Sequence, residues 1–170
     1  MFNILVTVID VFVAWRCGDW RNWTKYQATI LYTIVFDLLY NFLTYNHSLW
    51  KYEPTTLFPN HTTMSLLVMF VAYPSVLLVY LGRYPFGWIK QILWIGFWVL
   101  LWSALEFVSL SLRQFSYYNG WNFMWSVLFD ITFFSMARLH YKKPLLCYAL
   151  SVVAPVILLW LFKVPISNMK

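Results

Sequence analysis

The chain has 170 residues, of which 62% are hydrophobic, 22% aromatic and only 11% charged, with a net charge of +6. Soluble proteins carry about a quarter charged residues, so this composition excludes a soluble globular fold. At roughly 20 apolar residues per crossing, it leaves room for five or six membrane helices in a single domain over residues 1–170 and no separate soluble domain. The expected fold is all-α, a polytopic transmembrane helical bundle.

The first apolar segment, 2–15, is short for a crossing, and Asn3, Thr7 and Asp10 form a polar stripe along it at helical spacing. It is either a thin span or a tilted interfacial helix. It lacks the positively charged leader of a secretory signal and is expected to be retained. The gap that follows carries Arg16, Arg21 and Lys25 against one acid, Asp19. The second segment, 28–45, holds Asp37 with Asn41 one turn on, so both point the same way. A loop with two prolines and two histidines, suited to an irregular outer connection, leads to the third segment, 63–81. There Pro74 predicts a kink and a freed carbonyl at Phe70.

After GRYPFG the fourth segment, 88–112, spaces Trp94, Trp98, Trp102 and Glu106 by four, an aromatic wall leading to an acid. Asn119-Gly120 marks a turn, and the fifth segment, 121–137, carries Asp130 ahead of the basic exit RLHYKKP. In the sixth, 145–162, Ser151 precedes Pro155 by one turn, where it can help satisfy a kinked backbone. The alternate gaps place Arg16, Arg21, Lys25, Arg83, Lys90, Arg138, Lys142 and Lys143 on one side and Lys51, Arg113, Lys163 and Lys170 on the other. Because positive loops stay in the cytoplasm, the first set is the cytoplasmic one. If the first segment crosses, both termini lie outside.

The strings FDLLYN, LFPNHT, YNGWN with a following FD, and RLHYKKPLL resemble a family of small integral membrane proteins of Bacillus-type and Clostridium-type bacteria. The resemblance covers most of the chain. It implies a multi-pass membrane fold in the cytoplasmic membrane and assigns no activity, cofactor or catalytic residue.

An acid near the bilayer centre is costly, so it faces a partner or a wet cavity. Asp37 and Asp130 both fall near the middle of their spans. Placed together they would compete for one proton, a centre suited to a cation or to proton coupling, with Asn41 as a neutral ligand. The alternative is that each carboxyl hydrogen-bonds a neighbouring helix. Glu106 lies near the outer entrance, where acid and tryptophans together would attract an organic cation. His47, Glu53 and His61 share the outer loop and carry residue types that fit a divalent metal, without a compact ligand motif. His140 joins Arg138, Lys142 and Lys143 in a basic patch facing headgroups. Cys17 and Cys147 have no metal-ligand or redox spacing.

Three functions follow from these residues. The first is a small transporter or permeation protein for a cation or cationic small molecule. The second is a non-catalytic sensor, scaffold or partner subunit, with the lipid bilayer, a second copy or another membrane protein as its partner and nucleic acid excluded for want of a basic groove. The third is a metal-dependent or lipid-modifying membrane enzyme, for which no catalytic signature is present.

Overall fold

The computed structural model describes residues 1–165; Lys170, one of the four basic residues expected on the outer side, lies outside them. The helices are α1 (Phe2–Cys17), α2 (Trp23–Leu43), α3 (His61–Leu67), α4 (Tyr73–Gly82), α5 (Trp88–Ser111), α6 (Phe123–Lys142) and α7 (Pro144–Leu161), with a 3-10 turn at Trp20–Asn22. A π-helical turn, Val68–Ala72, fuses α3 and α4 into one rod, so the described chain forms six rods. Three of them, His61–Gly82, Trp88–Ser111 and Pro144–Leu161, are long and apolar enough to cross a membrane.

The His61–Gly82 rod is the centre. Ser75 through Leu81 of α4 are all buried, as expected of a helix that is apolar all round. α1, α2 and α6 pack about this rod, and α7 packs on α6 at the periphery. The outer helices turn large apolar side chains outward, among them Leu93 and Leu100 on α5 and Val152 and Trp160 on α7. Apolar surface of this extent marks an interaction with membrane or protein.

At Pro74 the turn before the proline widens, so that Tyr73 N–H reaches Val68 O, and the Ser75 hydroxyl donates to Val71 O at 2.7 Å. This is the single i→i−5 turn by which an α-helix takes in an extra residue. The helices also extend beyond their apolar stretches. α2 starts at Trp23 and α6 continues through Arg138 to Lys142, because basic side chains in a last turn complement the helix dipole.

The loop between α2 and α3, expected to be irregular, contains a strand. Trp50–Tyr52 (β1) and Phe115–Tyr117 (β2) pair antiparallel, with Trp50 opposite Tyr117 and Tyr52 opposite Phe115. Asn119 and Gly120 both adopt positive φ, 53° and 85°, as the turn there requires. Asn119 Nδ2 then ties the turn to Ser48 O at 2.8 Å.

The rods define two ends. At one, the α1, α4 and α6 C-termini converge: Arg83 Nε donates to Cys17 O at 2.9 Å, and the Arg138 guanidinium sits 3.9 Å from the Tyr84 ring centroid. At the other, beside the β ribbon, the N-terminal amine donates to Gln114 Oε1 at 2.7 Å. α1 therefore runs from one end to the other, about 24 Å at 1.5 Å per residue, packed along the central rod.

Candidate functional site

Three polar stripes face one another beside the central rod. α1 contributes Asn3, Thr7 and Asp10, α5 contributes Glu106 and Ser109, and α6 contributes Ser126 and Asp130. Helical spacing of three or four places each set on one face. Together with Tyr52 and Tyr73 they line a cavity of about 140 Å³, space for several waters or a small hydrated cation. Three carboxyls thus share one cavity, and its described lining includes no lysine, arginine or histidine.

Hydroxyls take the place of cations. The Ser103 hydroxyl, at the edge of the cavity, donates to Asp130 Oδ2 at 3.2 Å. Tyr117, on β2, donates a short hydrogen bond to Glu106. Ser126 lies beside Glu106 and accepts the Trp121 indole N–H at 2.8 Å. Burial, and then the bond to Glu106, pushes the Tyr117 phenol above its usual range, so it stays a donor. Asn3 is fixed from both sides: its Oδ1 accepts the Ser109 hydroxyl at 2.9 Å, and its Nδ2 donates to Gln114 O at 3.4 Å.

Asp37 and Asp130 do not form the expected pair. Asp37 is half-buried on α2 and lines a separate groove of about 370 Å³ between α2, α6 and α7. The Tyr73, Trp121 and Phe129 rings belong to the walls of both spaces, with the Tyr73 hydroxyl near Asp37. Glu106 replaces Asp37 as the charged neighbour of Asp130. Asn41 is engaged elsewhere: its Nδ2 donates back to Asp37 O at 2.9 Å, and its Oδ1 lies 3.2 Å from His61 Nε2.

The bonds of His61 fix its tautomer. Its Nδ1 accepts the Tyr52 N–H at 3.1 Å, so Nε2 carries the proton and donates to Asn41. Both ring nitrogens are committed to holding β1 against α2. Glu53 accepts from the Tyr118 hydroxyl at 3.4 Å, and His47 sits in the turn after α2 with its N–H on Thr44 O. Among the described residues no group of three or more His, Cys, Asp or Glu side chains is placed to hold a metal ion. The acids of the cavity share a space without closing on one point.

Two further expectations change. His140 leaves the basic patch and turns inward, with Nδ1 2.9 Å from the Thr29 hydroxyl and its ring stacked 4.3 Å from Tyr32. Of the tryptophan wall only Trp102 reaches the cavity; Trp98 is core, and Trp94 donates to Tyr80 O at 3.1 Å. Ser126 had a signal in the sequence, one turn before Asp130, whereas Tyr117 arrives from a strand that no helical period announces. The chain matches no family model, no curated protein and no solved structure.

Proposed function

We propose that the protein is a multi-pass protein of the cytoplasmic membrane, its six rods all crossing. In this reading it takes up a cation or small cationic molecule in the cavity of Asp10, Glu106 and Asp130. The observation that carries the reading is three carboxyls from three helices around one cavity whose described lining has no basic side chain. Intramembrane acids face partners or water, and here the partners are hydroxyls that leave the negative charge uncompensated. The absence of a compact metal-ligand group among the described residues favours a hydrated, organic or protonic cation over a tightly ligated metal ion. The end bearing Arg16, Arg83, Arg138 and Lys142 is cytoplasmic by the positive-inside rule, which puts the β ribbon and the cavity on the outer side.

The test is flux in liposomes carrying the purified protein and an internal pH or cation dye, under an imposed membrane potential. Asp130→Asn and Glu106→Gln are each expected to cut the rate by about tenfold or more, the loss of a charge-assisted contact. Wild-type flux no higher than that of empty liposomes, or flux untouched by both variants in folded protein, would sink the proposal and leave a non-transporting sensor or partner subunit as the reading.

A further inference from the structure

The groove between α2, α6 and α7 has no part in the acidic cavity's chemistry, yet it is a closed-ended site. At one end Tyr32 and Ser151 hydrogen-bond at 2.6 Å, joining α2 to α7. At the other the Phe162 ring packs 5.1 Å from Trp121 and 5.3 Å from Trp125, joining the end of α7 to the start of α6. Between these clasps the small residues Ala154 and Pro155 of α7 face α2 across a space of about 370 Å³. That volume lies in the range of small-molecule sites.

The polar groups along this groove are nearly all engaged within the protein. Thr33, Thr44 and Thr132 donate to the backbone carbonyls of Ile30, Tyr40 and Leu128, and the Tyr40 hydroxyl accepts the Leu49 N–H. Asp37 is the exception. Its carboxyl has the Tyr73 hydroxyl nearby, and the described lining of the groove holds no basic side chain to meet it. A carboxylate has room for about four hydrogen bonds, so most of its capacity faces the groove. An apolar trough with one uncompensated carboxyl complements a ligand with an apolar body and one cationic donor. A neutral hydrocarbon would leave the charge unmet. The tyrosine and tryptophan rings around the trough add cation–π attraction for the same ligand class.

We propose that this groove binds a lipophilic amine, its hydrocarbon body lying along α7 between Ala154 and Leu158 and its ammonium group on Asp37. The site is distinct from the acidic cavity, with which it shares only the wall of Tyr73, Trp121 and Phe129, and it opens at the molecular surface where the α2 and α7 faces are apolar. An amine dissolved in the hydrocarbon region reaches it sideways.

The experiment is equilibrium binding of radiolabelled dodecylamine to the full chain in lipid nanodiscs, against empty nanodiscs and against dodecanol as the neutral twin. Saturable amine binding about tenfold or more tighter than that of dodecanol is expected, with Asp37→Asn reducing it to the dodecanol level. Asp130→Asn should leave it unchanged, which separates this site from the proposed cation cavity. Ala154→Trp, which fills the trough without touching the carboxyl, should abolish binding and serves if Asp37→Asn does not fold. Amine and alcohol binding equally, showing an acyl-chain groove only, or amine binding that survives both variants, would overturn the proposal.

Discussion

Acids in this fold are held by hydroxyls and amides, and Asp19 displays the consequence in a place where water can report it. It sits in the turn between α1 and α2, where Tyr26 donates to Oδ2 at 2.7 Å and the Asn22 amide reaches both oxygens. Those bonds, with the Lys25 charge adding to them, hold its carboxyl below the usual range. A group whose folded pKa is lowered stabilises the fold fully above its unfolded value of about 4, and that contribution disappears as pH falls through the folded value. Asp19→Ala should therefore melt below wild type at pH 7, and the gap should close as the buffer is taken down past the usual carboxylate range. A gap that stays constant on acidification would show that the ionised form contributes nothing. Within the cavity, Tyr117→Phe removes the phenolic donor from Glu106 while keeping the ring. It is expected to alter the pH profile of any flux more than the melting temperature, since Ser126 stays beside the carboxyl; a matching loss of stability with an unchanged profile would make the contact structural.

The central rod is held by contacts that leave little tolerance. A Cβ added at Gly82 would lie 2.7 Å from Asp19 Cβ, so Gly82→Ala forces the end of α4 away from the α1–α2 turn, at a cost of about 1–3 kcal/mol typical of overpacking. Thermal unfolding in detergent measures it, and an unshifted midpoint would mean that the turn moves freely. Deeper, the Tyr80 hydroxyl donates to Phe134 O at 2.8 Å, tying α4 to α6 in full burial. Tyr80→Phe should cost about 1 kcal/mol, again read as a lowered midpoint. The existence of these helices was legible in the sequence because runs of apolar residues dictate them. Their ends were not, since Arg138 and Lys142 continue a helix that an apolar count stops at 137. The π turn escaped for a related reason: Pro74 announces a lost hydrogen bond but not how the turn before it, with Met69 and Ala72 buried, rearranges. The ribbon had a faint signal, the aromatic–polar–aromatic triplets Trp50-Lys51-Tyr52 and Phe115-Ser116-Tyr117, but three residues cannot establish a strand without their partner.

The candidate site divides in the same way. The polar stripes of α1, α5 and α6 could be counted along each helix, because Asn3-Thr7-Asp10 and Ser103-Glu106-Ser109 follow the helical period. Which stripes meet depends on packing between helices distant in sequence, and there equal depth misled: Asp37 and Asp130 lie on helices that pack together, with Tyr73 in the walls of both their spaces. The arrangement of the ends now makes the membrane reading testable as one statement. The connections at Arg16–Lys25, Arg83–Trp88 and Lys142–Lys143 gather at one end, while Met1, the ribbon and Gln114 gather at the other. If the rods cross a bilayer, Thr56 in the ribbon connection and Phe86, 94% exposed in the α4–α5 turn, face opposite compartments. Cysteines placed singly at Thr56 and Phe86, with Cys17 and Cys147 replaced by serine, separate the possibilities by reaction with a membrane-impermeant maleimide. Thr56→Cys should label in intact cells and Phe86→Cys only once the membrane is opened. Because the His61–Gly82 rod joins the two positions, labelling of both from one side would mean that the central rod does not cross, and the outward apolar faces of α5 and α7 would then need a protein partner rather than lipid to cover them.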